Sequence, residues 1–200
     1  MTVTANGRTA EHDVDPIFLQ RWSPRALTGE PMPHEALMSL FEAARWAPSA
    51  FNGQPWRFVY AHRDTPAWDD LFGLLVPFNQ SWAQRASALV YVLSDRFRRT
   101  PGQPPAPVRT HAFDTGAAWS NLALQAARMG WVTHGMAGFD VARSYEALGV
   151  SPEDYEVHAA IAIGRLGDPA ILDEAYRARE VPSGRKDFAE FVFEGRLAGG

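Results

Sequence analysis

Apolar residues recur at the i, i+3, i+4, i+7 spacing of one helical face in Leu37, Leu40, Phe41 and Ala44, which predicts a helix over 34–46. Pro31 and Pro33 punctuate its start. Residues 56–62 then read as a strand, and two further helical stretches are expected near 67–75 and 79–85. Residues 88–93, Ala-Leu-Val-Tyr-Val-Leu, are almost wholly apolar and rich in strand formers, which suits a central strand. The pattern breaks at 97–111, where Pro101, Pro104, Pro105 and Pro107 predict a non-regular excursion, read as a surface loop or lid inside one domain. A long helix follows over 113–129. Its polar residues Asp114, Asn121, Gln125 and Arg128 form one stripe while the rest are apolar or small, so it is expected to be buried nearly all round, as a core helix or a subunit interface. A strand at 131–136, a helix at 141–148 and a strand at 157–163 complete the regular part. Residues 1–13 are polar and aperiodic, a loose tail, with a short helix possible in 14–20. One domain is expected over 14–200. Its end, from Asp173, is charged and then aromatic; Phe188, Phe191, Val192 and Phe193 need a surface to pack on.

Two segments concentrate polarity where scaffold elements meet. In Ala47-Pro48-Ser49-Ala50-Phe51-Asn52-Gly53-Gln54-Pro55-Trp56, a helix end joins a strand start, and Pro48 and Pro55 fix φ and remove donors. Ser49, Asn52 and Gln54 can then present hydroxyl and amide groups in a set geometry, suited to the edge of a flat heterocycle, although the same residue types build ordinary turns. In Arg21-Trp22-Ser23-Pro24-Arg25, two guanidiniums and a hydroxyl fall within five residues, as an anion clamp or as a solvated basic turn.

Bulk composition removes several classes of function. With 46% hydrophobic and 12% aromatic residues the chain can fill a core, and a formal charge of -4 argues against a general nucleic-acid binder. Cysteine is absent, so thiolate and disulfide chemistry are excluded and any redox chemistry needs a bound cofactor. No apolar run approaches a membrane span, and the N-terminus shows no signal pattern, so no membrane association and a cytoplasmic location are expected. The six histidines show no metal-ligand spacing, and no P-loop, G-x-S-x-G or G-x-G-x-x-G opens a helix. No metal site is expected.

Taken together, Arg-x-Ser-x-Arg followed after about twenty-five residues by Ala-Pro-Ser-Ala-x-Asn-x-Gln-Pro-Trp resembles the nitroreductase family of FMN-dependent oxidoreductases, over nearly the whole of 17–197. The resemblance implies an α+β fold: a central mixed, mainly antiparallel sheet flanked by helices, with a C-terminal tail extended over the partner subunit. It implies that Arg21, Trp22, Ser23 and Arg25 hold the FMN phosphate and ribityl chain. Pro48, Ser49, Ala50 and Asn52, with Gln54, would lie against the isoalloxazine across a dimer interface. Asn79 would meet the ring edge, the backbone of Met136, Ala137 and Gly138 would lie beside N5, and Arg185 would add a phosphate contact. Two departures stand out: Trp22 where a smaller or polar residue is frequent, and Ser183 in place of a frequent lysine.

The implied chemistry needs no protein nucleophile or proton donor, because the flavin carries the hydride while the protein orients it. A ping-pong oxidoreductase follows, with NAD(P)H as reductant and a nitroaromatic, quinone or similar small acceptor, working as a homodimer. Phe97, Arg109 and His111 on the Pro-rich stretch are the residues expected to touch the acceptor. The rival class is a flavin storage or sensor protein with little turnover.

Overall fold

The computed structural model describes residues 3–197; Met1 and Thr2 of the expected tail, and residues 198–200 of the expected domain, lie outside them. Where a loose tail was expected, strands β1 (Thr4–Ala5) and β2 (Arg8–Thr9) pair antiparallel across Asn6-Gly7. Both turn residues are left-handed, with φ of 53° and 70°. That is the geometry a two-residue hairpin turn requires, and Asn-Gly supplies it at low steric cost. The strands are too short to show a period in sequence. Helix α1 (Ile17–Gln20) follows, and then α2 (His34–Arg45), which buries Leu37, Leu40 and Ala44 as their spacing predicts.

Strand β3 (Trp56–His62) leads to α3 (Pro66–Phe72) and α4 (Pro77–Ala83), each opening on a proline in the first turn, where a missing N–H costs nothing. All eight residues of β4 (Ala88–Asp95) are buried. The Pro-rich stretch then departs from the non-regular excursion expected of it. Strands β5 (Phe97–Arg98) and β6 (Ala106–Pro107) pair antiparallel, so it is a hairpin whose proline sits at a sheet edge. Helix α5 (His111–Arg128) is succeeded by β7 (Val132–Met136), α6 (Val141–Ala147), β8 (Tyr155–Gly164) and α7 (Glu174–Arg177).

The main sheet has the order β3-β4-β8-β7, and its three pairings are all antiparallel. The α+β class holds, and the expected mixed sheet is wholly antiparallel in the described residues. The inner position of β4 explains its full burial: Leu89, Tyr91 and Leu93 enter one core with Leu71, Leu74 and Trp82, while Val90 and Val92 enter another with Leu37, Leu40, Leu122 and Ile161. Helix α5 is one-sided rather than buried all round. Its buried face is Asp114, Thr115, Ala118, Leu122, Ala123 and Ala126, and Phe113 on the other side is 81% exposed. Small residues misled the reading, because alanine and glycine are as compatible with an exposed face as with a buried one. After α7 the tail lies against the N-terminal segment, with Phe188 edge-on to His12 at 4.9 Å, while Phe191 and Val192 stay exposed. No described helix is long and apolar enough to cross a membrane.

Candidate functional site

The end of α1 positions the first group of cations. A helix C-terminus leaves carbonyls without partners, and here the N-terminal hairpin supplies them: Asn6 Nδ2 donates to Gln20 O at 2.7 Å, and Arg8 Nη2 donates to Leu19 O and, at 3.2 Å, to Arg21 O. The chain leaves the helix with Arg21 fixed, its Nη1 at 3.5 Å from Ser23 Oγ. Burial, and then the charge of Arg185, lower the pKa of both Arg8 and Arg21. Three guanidiniums therefore share one region, and none of them is in an ion pair among the described residues. Arg8 Nε is buried without a hydrogen-bond partner. Like charges held together without an ion pair make a place for an anion. Sequence reasoning found Arg21 and Arg185 but missed Arg8, which the Asn6-Gly7 turn could have flagged. Ser183 offers only its carbonyl, which accepts from Arg185 Nη1 at 3.2 Å.

Arg25 is engaged elsewhere. Glu180, whose side chain is fully buried, accepts from the N–H groups of Arg25 and Ala26 at 2.6 and 2.8 Å and has Arg25 Nη1 3.9 Å from its other oxygen. Beside it, His134 Nδ1–H donates to Pro24 O at 3.1 Å, and burial, then the Arg25 charge, push the His134 pKa down to about 4. A neutral histidine and a buried glutamate thus brace the Pro24–Arg25 turn against β7 and the tail. Trp22 and Arg21 line a cavity beside Ala123, Trp131 and Thr133.

Asn79 is buried, and its Nδ2 donates to Gly138 O at 2.9 Å; Val76 N donates to the same carbonyl at 3.1 Å. One of its two N–H groups is thereby held by the backbone, and the other and Oδ1 stay available to a ring edge. With its carbonyl taken twice, Gly138 can offer a ligand only its N–H side. A Cβ at Gly138 would lie 2.7 Å from Asn79 Nδ2 and 3.0 Å from Val76 Cγ2, so glycine is needed for this close approach.

The Pro48–Gln54 loop is strained. Phe51, Asn52 and Gln54 are left-handed at φ of 52°, 52° and 47°, unusual for non-glycine residues and a recurrent mark of functional loops. Asp114 at the start of α5 holds it, Oδ2 accepting from Ala50 N and from Thr110 Oγ1, each at 3.1 Å. Ser49 Oγ accepts from Gln54 N at 3.1 Å and Gln54 Nε2 donates to Asn52 O at 3.2 Å, so the loop spends part of its own polarity on keeping its shape. Phe51 is left 91% exposed, with the Arg98 guanidinium 5.4 Å from its ring centre.

Between this loop and the β5–β6 hairpin lies a cavity of about 300 Å3 lined by Phe97 and Arg109. The third residue expected there, His111, is not among its lining residues. Its Nδ1 lies 2.7 Å from Ser94 Oγ, which has His158 Nε2 at 2.7 Å on its other side. One hydroxyl can donate to one imidazole and accept from the other, so the group is a satisfied structural bridge. Arg21, Arg185 and Ala50 line three different cavities.

A model of the nitroreductase family matches residues 18–165. A solved structure described as an oxidoreductase containing FMN is 47% identical, covers 99% of this chain and 100% of its own, and superposes with a TM-score of 0.95. A protein from Desulfovibrio desulfuricans assigned as a nitroreductase, solved in complex with FMN, is 25% identical, with 92% of this chain and 99% of its own covered and a TM-score of 0.69. An uncharacterized 15.4 kDa protein of Mycolicibacterium smegmatis is 40% identical over 127 residues, which is 63% of this chain and 81% of that one.

Proposed function

The chain belongs to the nitroreductase family and is an oxidoreductase of the FMN-dependent kind; from that premise we propose that it is a cytoplasmic homodimer that binds FMN between its subunits and reduces small oxidised acceptors, nitroaromatics or quinones, with NAD(P)H. The carrying observation is the group of Arg8, Arg21 and Arg185, in which burial and then the Arg185 charge lower the pKa of Arg8 and Arg21 and none of the three is in an ion pair among the described residues. These residues fit a phosphomonoester. When bound, FMN supplies the hydride chemistry, taking electrons from the nicotinamide and passing them to the acceptor in ping-pong order.

The remaining work falls to this chain. Arg21 and Arg185 neutralise the phosphate, and Arg8 holds the Arg21 carbonyl while facing the same region. Gly138 keeps its N–H for a ligand, because its carbonyl is taken by the Asn79 and Val76 bonds. Ser49, Asn52 and Gln54 stand on a loop whose shape is fixed by Asp114, and Phe51 projects from it into solvent. A residue that exposed, on a loop that strained, suits a second subunit's cofactor better than its own. That the polar groups divide among separate cavities on one chain supports an interfacial site in the same way. Trp46 and Phe113, 74% and 81% exposed near this loop, would be covered with it.

Stopped-flow mixing of the flavin-loaded protein with NADH and with NADPH, then with a nitroaromatic and a quinone, tests the reading. Flavin bleaching within seconds by one nicotinamide and reoxidation by the acceptor is the expected outcome. A yellow protein that bleaches with neither nicotinamide is a flavin storage or sensor protein instead.

A further inference from the structure

The cavity between the Pro48–Gln54 loop and the β5–β6 hairpin has a composition that the family reading does not require. Its walls pair two aromatic rings, Phe51 and Phe97, with two guanidiniums, Arg98 and Arg109. Nearby cations are all committed: Arg57 and Arg99 to Asp95, Arg99 also to Asp154, and Arg96 to Glu156. Arg98 and Arg109 take part in no ion pair among the described residues. The one carboxylate lining the cavity, Asp114, is buried at its edge with Oδ2 held by Ala50 N and Thr110 Oγ1. Two cations face one committed anion, so the cavity carries a net positive charge. Arg98 also lies 5.4 Å from the Phe51 ring centre, which couples the hairpin to the loop and keeps a cation over an aromatic face.

We propose that this cavity selects planar ligands carrying an anionic substituent, the ring lying against Phe51 and Phe97 and the anion taken by Arg98 and Arg109. About 300 Å3 accommodates a single substituted ring. The anion has two sources of the same chemistry: the carboxylate or sulfonate of an aromatic acceptor, or a phosphate of the nicotinamide dinucleotide. The assignment of the cavity to the acceptor side rests on the function proposed above.

The test is calorimetric titration of the FMN-loaded protein, and of an Arg98→Gln/Arg109→Gln variant, with 4-nitrobenzoate and with its neutral analogue 4-nitrobenzyl alcohol, each repeated with NADP+ and NAD+. Flavin content is measured on the same samples by absorbance. The expected result is a preference of roughly 10-fold for 4-nitrobenzoate, the scale of one charge-assisted hydrogen bond, abolished in the variant while affinity for the alcohol stays within about 2-fold. If the variant instead loses a preference for NADP+ and leaves nitrobenzoate unaffected, the anion is the dinucleotide's phosphate, and the selection of anions stands with that source. No preference in the wild type for either charged ligand, 4-nitrobenzoate over its alcohol or NADP+ over NAD+, or preferences that all survive the double substitution, overturns the proposal. Absence of FMN from both proteins would instead overturn the function on which it rests.

Discussion

His134 ties the sheet to the segment that carries the candidate cofactor residues, and burial holds it neutral there. Its Nδ1–H donates to Pro24 O, and the neighbouring Arg25 guanidinium would repel an imidazolium. With a pKa of 6.5 in the unfolded chain and about 4 in the folded one, the side chain binds a proton more readily when unfolded. The stabilisation is therefore whole above about pH 6.5 and is lost as the pH falls toward 4, by up to about 3 kcal/mol. His62 and His158 are shifted downward by burial too and act in the same direction. His134→Asn keeps a donor for Pro24 without a titrating group. Urea unfolding at pH 7.0 and 4.5 should show the variant losing at least 1 kcal/mol less stability than wild type over that interval, about a third of the full linkage. An identical loss in both proteins would mean that His134 does not titrate with folding.

Among the elements, the N-terminal hairpin has the least obvious role and the clearest connection. Through Asn6 and Arg8 it occupies the last carbonyls of α1 and so orients Arg21. Removing residues 1–10 should leave a folded protein, since the main sheet and both cores lie elsewhere. It should weaken FMN about 10-fold, the loss of roughly one net hydrogen bond plus a positioning effect. Isothermal titration of the truncated protein checks this, and unchanged affinity would reduce the hairpin to packing. The contrast between this element and others shows what the sequence could convey. Helix α2 and strand β4 were legible because each repeats its period several times, 3.6 in one and an unbroken apolar run in the other. The two hairpins were not, because strands of two residues carry no period; turn chemistry was their only sign, and in β6 a proline argued against pairing. The site divides likewise. Arg21 and the Ser49 loop drew notice by residue type and spacing, and Arg185 only through the family resemblance. The engagement of Arg25 by Glu180, 155 residues away, the capture of Asn79 by Gly138 and the turning of His111 toward Ser94 are tertiary facts that no local pattern encodes.

At the scale of the whole molecule, the candidate residues form two groups: cations beside the N-terminal hairpin and tail, and a strained loop braced by α5. In the proposed homodimer each subunit would lend its loop to the other's cations. The tail bears on both, since Arg185 belongs to the cationic group and Phe191 and Val192, 55% and 53% exposed, have apolar surface left to bury. Ending the chain after Arg185 should therefore yield monomers by sedimentation and lower flavin content, whereas a truncated protein that stays dimeric and yellow would detach the tail from assembly. The central claim, that the arginine group is a phosphate site for FMN, is met most directly by titrating flavin-free protein with FMN and with riboflavin while following flavin fluorescence. Saturation at one FMN per subunit is predicted, with riboflavin weaker by about 100-fold, the equivalent of two charge-assisted hydrogen bonds of about 1.5 kcal/mol each. Equal affinity for the two flavins, or no saturable binding of FMN, would contradict it.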